Sequence, residues 1–143
     1  MFKTEKDFGG YWIKNLKNFK GHEGEPLFQC SVYKDGKRVG FFSEDSWGGP
    51  AQLQGFKQKD EDTLCEYAKS VDSKPWGESY HKFIAQIADA VDEIKWFKRQ
   101  CRKKTLFYIG KKLMEIKHPF CAPVEKALKD RHGEVLIVNK ILA

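Results

Sequence analysis

The sequence predicts an α+β fold: an N-terminal antiparallel β-meander, one long central helix, and a C-terminal β-β-α-β segment. Residues 27–42 alternate between apolar and polar around Asp35-Gly36, which is typical of a β-hairpin. Apolar residues then recur three and four positions apart from about 78 to 102, which indicates a long amphipathic helix. At 143 residues and 41% hydrophobic, the chain has the size and core material of one domain, 1–143.

The hairpin has the clearest local pattern. Phe28, Cys30 and Val32 alternate with polar neighbours, and Asp-Gly suits a type I′ turn because both of its central residues need positive φ. A third strand at about 51–56 is expected to extend the meander. A short helix at about 63–70 is expected next, because the acids at 60–62 would favour a helix N-terminus behind them.

The long helix is predicted from a one-sided apolar stripe. The stripe consists of Tyr80, Phe83, Ile84, Ile87, Val91, Ile94, Phe97 and Cys101. Apolar stretches at 105–109 and 113–117 then predict two strands. Pro123 favours the first turn of a helix through about 131 that Gly133 ends, and 135–138 predicts a last strand.

The net charge of +6 is concentrated in one stretch. Without that stretch the chain has 20 basic and 20 acidic residues, because 26 − 6 = 20. Its six cations, with no acid among them, are Lys95, Lys98, Arg99, Arg102, Lys103 and Lys104. On a helix, four of these share about a third of the circumference, with Trp96 at the edge.

A basic face beside an aromatic ring can hold phosphates and stack a base, or grip an acidic protein surface. We therefore predict that Lys95 to Lys104, with Trp96, form a binding surface. Trp47, in a glycine-rich loop, is a second candidate contact, and Trp76 is a similar loop tryptophan. The alternative is a solvated helix end whose cations only complement the helix dipole.

Catalytic and metal-binding patterns are weak. Acidic residues occur near the hairpin at Glu23, Glu25, Glu44 and Asp45. No His, Ser or Cys lies at a spacing from them that would indicate a catalytic partner. No phosphate-binding loop or hydrolase motif occurs, so we predict no enzymatic reaction, cofactor or metal. An enzyme that uses His22, Glu23 and Asp45 stays open as an alternative.

The four cysteines lack a C-x-x-C pair and are expected to be reduced thiols. Cys101, between Arg99 and Arg102, is either a reactive thiol or, the favoured interpretation, part of the core. No apolar run approaches the roughly 20 residues that cross a bilayer, and the N-terminus lacks the pattern of a secretory signal. We expect a cytoplasmic protein without a membrane partner.

Several stretches resemble a family of small phage and mobile-element proteins. The front half is similar at residues 19–24 (FKGHEG), 33–39 (YKDGKRV) and 48–49 (GG). The middle signature is similar at residues 96–107 (WFKRQCRKKTLF), and the tail more loosely at 117–120 and 135–139. After Phe107 this chain departs from the family pattern, because Tyr108-Ile109-Gly110 replaces a basic residue and a longer polar loop.

Members of that family are mostly uncharacterised, and their phage setting implies a counter-defence role. The resemblance therefore implies an anti-CRISPR protein that inhibits a Cas nuclease such as Cas9 in the host cytoplasm. Its expected partner is a host defence protein or ribonucleoprotein, held by the Lys95–Lys104 face and the Trp47 loop. The alternative is a small nucleic-acid- or nucleotide-binding protein that acts without a protein partner.

Overall fold

A computed structural model describes residues 2–75 and 77–142 and confirms the α+β class. The chain divides into two compact units, residues 1–91 and 92–143, and the division falls inside the long helix. The expectation of a single domain stays a prediction.

The first unit contains a four-stranded antiparallel meander in the order β1-β2-β3-β4. A 3₁₀ turn at Glu5–Phe8 precedes the sheet, and helix α1 and the start of α2 follow it. The elements are β1 (Tyr11–Lys20), β2 (Pro26–Lys34), β3 (Lys37–Ser43), β4 (Gln52–Gln54), α1 (Gln58–Val71) and α2 (Ser79–Cys101).

The predicted hairpin is confirmed as β2 and β3. Asp35 and Gly36 occupy its turn with φ values of 51° and 82°, the positive pair that a type I′ turn requires. The strand predicted at about 51–56 is also present, as β4. It is shorter than predicted, because Gly55 turns the chain with a φ of 73°.

The core of the first unit lies between the sheet and the two helices. An aromatic cluster surrounds Phe83 of α2, with the rings of Phe8, Tyr11 and Tyr67 at centroid distances of 5.9, 5.6 and 5.5 Å. These separations and their edge-on angles of 74°, 89° and 71° are favourable for aromatic pairs. Leu64 of α1 and Ile84 of α2 are fully buried beside this cluster.

Helix α1 is longer than the predicted 63–70. It begins at Gln58, so the acids Asp60 and Glu61 lie in its first turn rather than in front of it. The Gln58 side chain donates to the Asp62 carboxylate over 2.8 Å, one helical turn away. Acidic residues stabilise a helix both when they precede it and when they lie in its first turn. The acids at 60–62 therefore did not show at which residue α1 begins.

The second unit contains a three-stranded antiparallel sheet in the order β6-β5-β7. The predicted β-β-α-β segment is confirmed, and a short terminal helix that was not predicted follows it. The elements are β5 (Thr105–Ile109), β6 (Lys112–Ile116), α3 (Ala122–His132), β7 (Leu136–Ile137) and α4 (Val138–Ile141). Gly133 ends α3 as expected, and its N–H donates to the Lys129 carbonyl.

The two faces of this sheet have different surroundings. On one face, Phe107 and Ile137 pack with Leu128 of α3 in a small core. The cross-strand pairs Leu106–Glu115 and Tyr108–Leu113 lie on the other face, because partners in a ladder share a face and successive residues alternate.

Helix α2 is the long helix that the apolar stripe predicted. It covers 23 residues from Ser79 to Cys101, against about 78 to 102 expected. Phe83, Ile84, Ile87 and Phe97 of the stripe are buried. Within residues 2–75 and 77–142, no helix is both long and apolar enough to cross a membrane.

Candidate functional site

The basic stretch lies at the end of α2 and in the turn that leads to β5. Because α2 ends at Cys101, Arg102 and Lys103 lie in that turn and not on the helix. Four cations were expected on one helix face. Three of them, Lys95, Lys98 and Arg99, lie on α2, and the fourth, Arg102, lies in the turn. We call the five exposed cations the basic corner: Lys95, Lys98, Arg99, Arg102 and Lys103.

Lys104, the sixth predicted contact, already has a partner within the chain. Its Nζ lies 2.8 Å from the Glu115 carboxylate on β6. The hydrogen bond from Lys104, aided by its charge, holds the pKa of Glu115 below its ordinary value. The sequence did not reveal this pair, because the acid stands eleven positions away on another element. Lys104 is therefore separate from the five cations of the basic corner.

The cations of the basic corner form no ion pair with any residue in the described part of the chain. Their charge is also not balanced across their unit. Residues 92–143 hold 13 Lys and Arg against 6 Asp and Glu, a net charge of 13 − 6 = +7. Residues 1–91 hold 13 against 14, a net charge of −1. The second unit therefore carries the whole positive excess.

The turn of the basic corner is fixed by Asn139 of α4. The amide nitrogen of Asn139 donates to the carbonyls of Cys101, over 3.3 Å, and Lys104, over 2.9 Å. Its amide oxygen accepts from the Leu106 N–H over 2.9 Å. One side chain thus holds both ends of the turn that carries Arg102 and Lys103.

The end of α2 is capped without using its cationic side chains. The N–H of Arg102 donates to the Arg99 carbonyl over 3.3 Å, and the N–H of Lys103 donates to the Gln100 carbonyl over 3.2 Å. With Asn139 on the Cys101 carbonyl, the last three carbonyls of α2 have partners. The cations still complement the helix dipole, but their hydrogen-bond donors stay accessible to a partner.

Trp96 lies beside the basic corner and remains 42% exposed. It borders an open groove of about 160 Å³ between α2 and the sheet face of Leu106 and Tyr108. The groove is lined by Trp96, Gln100, Lys104, Leu106, Leu113, Met114 and Glu115. Trp96 lies close to the cations, as predicted. The groove was not predicted, because the positions of its β5 and β6 residues depend on the register in which these two strands pair.

Trp47 belongs to the first unit, in the loop between β3 and β4, and is 74% exposed. Its ring stacks on His22 of the β1–β2 turn with centroids 3.9 Å apart. The His22 N–H donates to the Ser46 carbonyl over 2.8 Å, so the two loops are tied together. Trp47 is thus an exposed and oriented ring, as expected of a contact residue, while Trp76 lies outside the described residues.

The acids near the hairpin serve the loops that carry them. Asp45 accepts from the Trp47 N–H, and Glu25 accepts from the Glu23 N–H. Glu44 accepts from the Phe28 N–H over 3.0 Å and lies 2.7 Å from Nε2 of His81 on α2. These contacts give the carboxylates a structural role, and the arrangement does not single out the His22, Glu23 and Asp45 set that was considered for catalysis.

His81 is a residue that the sequence reasoning missed. Its Nδ1 also lies 3.4 Å from the Glu78 carboxylate, so the imidazole stands between two acids. The Glu44 contact joins residues 37 positions apart, and no local spacing could have shown it. Its effect is to fasten the start of the Trp47 loop to α2.

The four cysteines are free, as expected. Cys101 is half-buried, and this burial raises the pKa of its thiol despite the cations next to it in sequence, which disfavours a reactive thiolate. Burial likewise raises the pKa of Cys30 to about 12. Among the residues that the structure describes, no three His, Cys, Asp or Glu side chains form a group that could hold a metal ion.

No family model, curated protein or solved structure matches this chain. The resemblance to phage and mobile-element proteins therefore stays a prediction from the residues quoted for it.

Proposed function

We propose that this chain is a binding protein that holds a polyanionic partner through the basic corner. The observation that carries the proposal is a set of five exposed cations without an ion pair in the described chain, on a helix end and a turn that Asn139 fixes. Unpaired cations in a fixed arrangement favour contact with phosphates, because their charge and orientation are available before binding.

The dimensions of the corner suit a nucleic-acid backbone. A helix rises about 1.5 Å per residue, so the cations from Lys95 to Arg99 cover about 6 Å along α2. This is the axial length of about two nucleotides of one strand, and Arg102 and Lys103 extend the basic surface into the turn. Nucleic acid presents phosphates at this regular spacing, and for that reason we favour it over an acidic protein surface.

The biological setting of the proposal comes from the resemblance alone. It makes the partner a host defence effector, and we propose an RNA-guided nuclease such as Cas9, inhibited in the bacterial cytoplasm. The basic corner would contact the guide RNA or the target backbone, which such nucleases hold in a charged channel. Trp47 would provide a contact with the protein part of the complex.

The test is a charge reversal, Arg99→Glu with Arg102→Glu, measured in target cleavage by a purified Cas9–guide RNA complex. Wild type should slow cleavage, and the reversal should remove this inhibition while the thermal unfolding midpoint stays close to that of wild type. The matched control reverses two exposed cations of α3, Lys126→Glu with Arg131→Glu, and should inhibit like wild type.

Two results would contradict the proposal. Equal inhibition by the Arg99 and Arg102 reversal would show that the basic corner is not the contact. Absence of inhibition by the wild type would make the assignment to Cas9 wrong. Trp47→Ala separates the two contacts, since it should weaken inhibition but leave binding to plain RNA unchanged.

A second candidate is a nucleic-acid-binding protein that needs no protein partner. The exposure of Trp96 beside the cations favours it, because aromatic rings near cations stack unpaired bases. This candidate predicts binding to plain oligonucleotides that weakens steeply as the salt concentration rises. No binding at low salt would exclude it.

A further inference from the structure

We propose that the groove beside the basic corner receives one unpaired base of a single-stranded nucleic acid, with the cations on the flanking phosphates. This inference rests on the proposed polyanion binding and names its partner more closely. The basic corner alone would hold single strands and duplexes alike, so a preference for single strands would come from the groove.

The groove has the size and walls of a site for one ring. At about 160 Å³ it is smaller than the roughly 300–1,000 Å³ of pockets that enclose a whole small molecule. Trp96 forms one wall and is 42% exposed, so much of its surface is open to a partner. Leu106 and Leu113 line it with apolar surface. An aromatic wall with an aliphatic floor suits the flat, weakly polar face of a base.

Polar groups are present where the edge of a base would lie. No side-chain hydrogen bond of Gln100 is found within the described residues, so its amide offers both donors and an acceptor. The Lys104–Glu115 pair presents a donor and an acceptor at the same groove. Because Lys104 neutralises Glu115, the acid can line the groove without repelling neighbouring phosphates.

The cations stand where the backbone on either side of an inserted base would pass. Arg99 follows Trp96 by three positions, so the two side chains are neighbours on the helix surface. Arg102 and Lys103 continue from the end of the same helix into the turn before Lys104, which lines the groove. A base in the groove and phosphates on these cations are therefore compatible with one strand.

A duplex cannot satisfy this arrangement. Its bases are paired and stacked, and extraction of one costs a few kcal/mol. We therefore expect single-stranded RNA to bind more tightly than duplex RNA with the same number of phosphates. The measurement is fluorescence anisotropy of labelled oligonucleotides at one fixed salt concentration.

Trp96→Ala tests the groove directly. Loss of base stacking should weaken single-strand binding by roughly 5- to 150-fold and change duplex binding less than about twofold. Trp96→Phe should recover part of the affinity, because it keeps an aromatic face. The control Ile109→Ala removes another exposed apolar side chain of the same unit, 41% exposed and outside the groove, and should bind like wild type.

The outcomes separate this inference from the proposed function. If wild type binds single strands and duplexes equally, and the Arg99 and Arg102 reversal abolishes both, the groove inference is wrong and polyanion binding stands. If wild type binds neither RNA nor heparin at low salt, both are wrong. If polyglutamate binds as tightly as RNA and Trp96→Ala weakens it, the groove receives an acidic protein segment and the inference is overturned.

Discussion

Asn139 is the residue on which the geometry of the basic corner most depends. Its amide makes three hydrogen bonds to the backbone around the turn between α2 and β5. Removal of the amide leaves the Leu106 N–H without this partner in a residue that is only 3% exposed. An unpaired buried group of this kind costs roughly 1–3 kcal/mol.

We expect Asn139→Ala to lower the free energy of unfolding by about that amount, 1–3 kcal/mol, and to weaken RNA binding as the turn loosens. Chemical denaturation and anisotropy measure the two effects. Asn18→Ala, at an exposed asparagine of β1, is the control and should change neither. Wild-type stability and affinity of Asn139→Ala would show that the turn orders itself without the amide.

Residue-level contacts were the least predictable part from the sequence. The positions of Lys95 and Arg99 on an exposed face follow from helical spacing alone, and they are exposed. The partners of Lys104 and of the turn follow from the β5–β6 register and from α4, which no local pattern encodes. For the same reason the sequence could not pair Glu44 with His81.

At the scale of elements, the ion pair between β6 and the residue before β5 has a predictable pH dependence. The pKa of Glu115 is lowered in the folded chain, first by the hydrogen bond from Lys104. A lowered pKa contributes stability that is fully present above the ordinary value of 4.5 and is lost as the pH falls through the folded-state value.

Glu115→Gln should therefore lower the unfolding midpoint at neutral pH, and the difference from wild type should shrink below about pH 4.5 and then vanish. Thermal unfolding from pH 3 to pH 8 measures it. Glu134→Gln, at an exposed acid without an ion pair among the described residues, should show little effect. A difference that grows toward low pH would contradict this account.

Elements with a strong internal pattern were predicted well. The Asp35-Gly36 turn fixed the hairpin, and the apolar spacing fixed α2 to within about one residue at each end. Helix α1 was misplaced at its start because charged residues carry little periodic signal. Helix α4 was missed because four residues after a strand give no helical period to detect.

For the whole molecule, the uneven distribution of charge determines the salt dependence that the proposed binding should show. The second unit has a net charge of +7 and the first −1, so attraction to an anion arises in residues 92–143. Each phosphate contact of a single strand contributes about −0.7 to the slope of log affinity against log salt concentration. Contacts by all five cations of the basic corner would give a slope of about −3.5.

We expect Arg99→Gln with Arg102→Gln to reduce the magnitude of that slope by about 1.4, as two contacts are lost. Anisotropy titrations at four or more salt concentrations give the slope. Lys126→Gln with Arg131→Gln removes the same charge from α3 and should leave the slope near that of wild type. An equal reduction in both variants would assign binding to the net charge and not to the corner.

The hydrogen bonds of Asn139 also limit when, during synthesis of the chain, the turn between α2 and β5 can take its final shape. Lys104 and Asn139 are 35 positions apart, so the hydrogen bond from the Asn139 amide to the Lys104 carbonyl cannot form until Asn139 has been synthesised. At the usual 5–20 residues per second this is a delay of about 2–7 s. Until then the turn that carries Arg102 and Lys103 lacks the side chain that ties its two ends together. The turn can therefore take its finished geometry only after β5, β6 and α3 have also been synthesised.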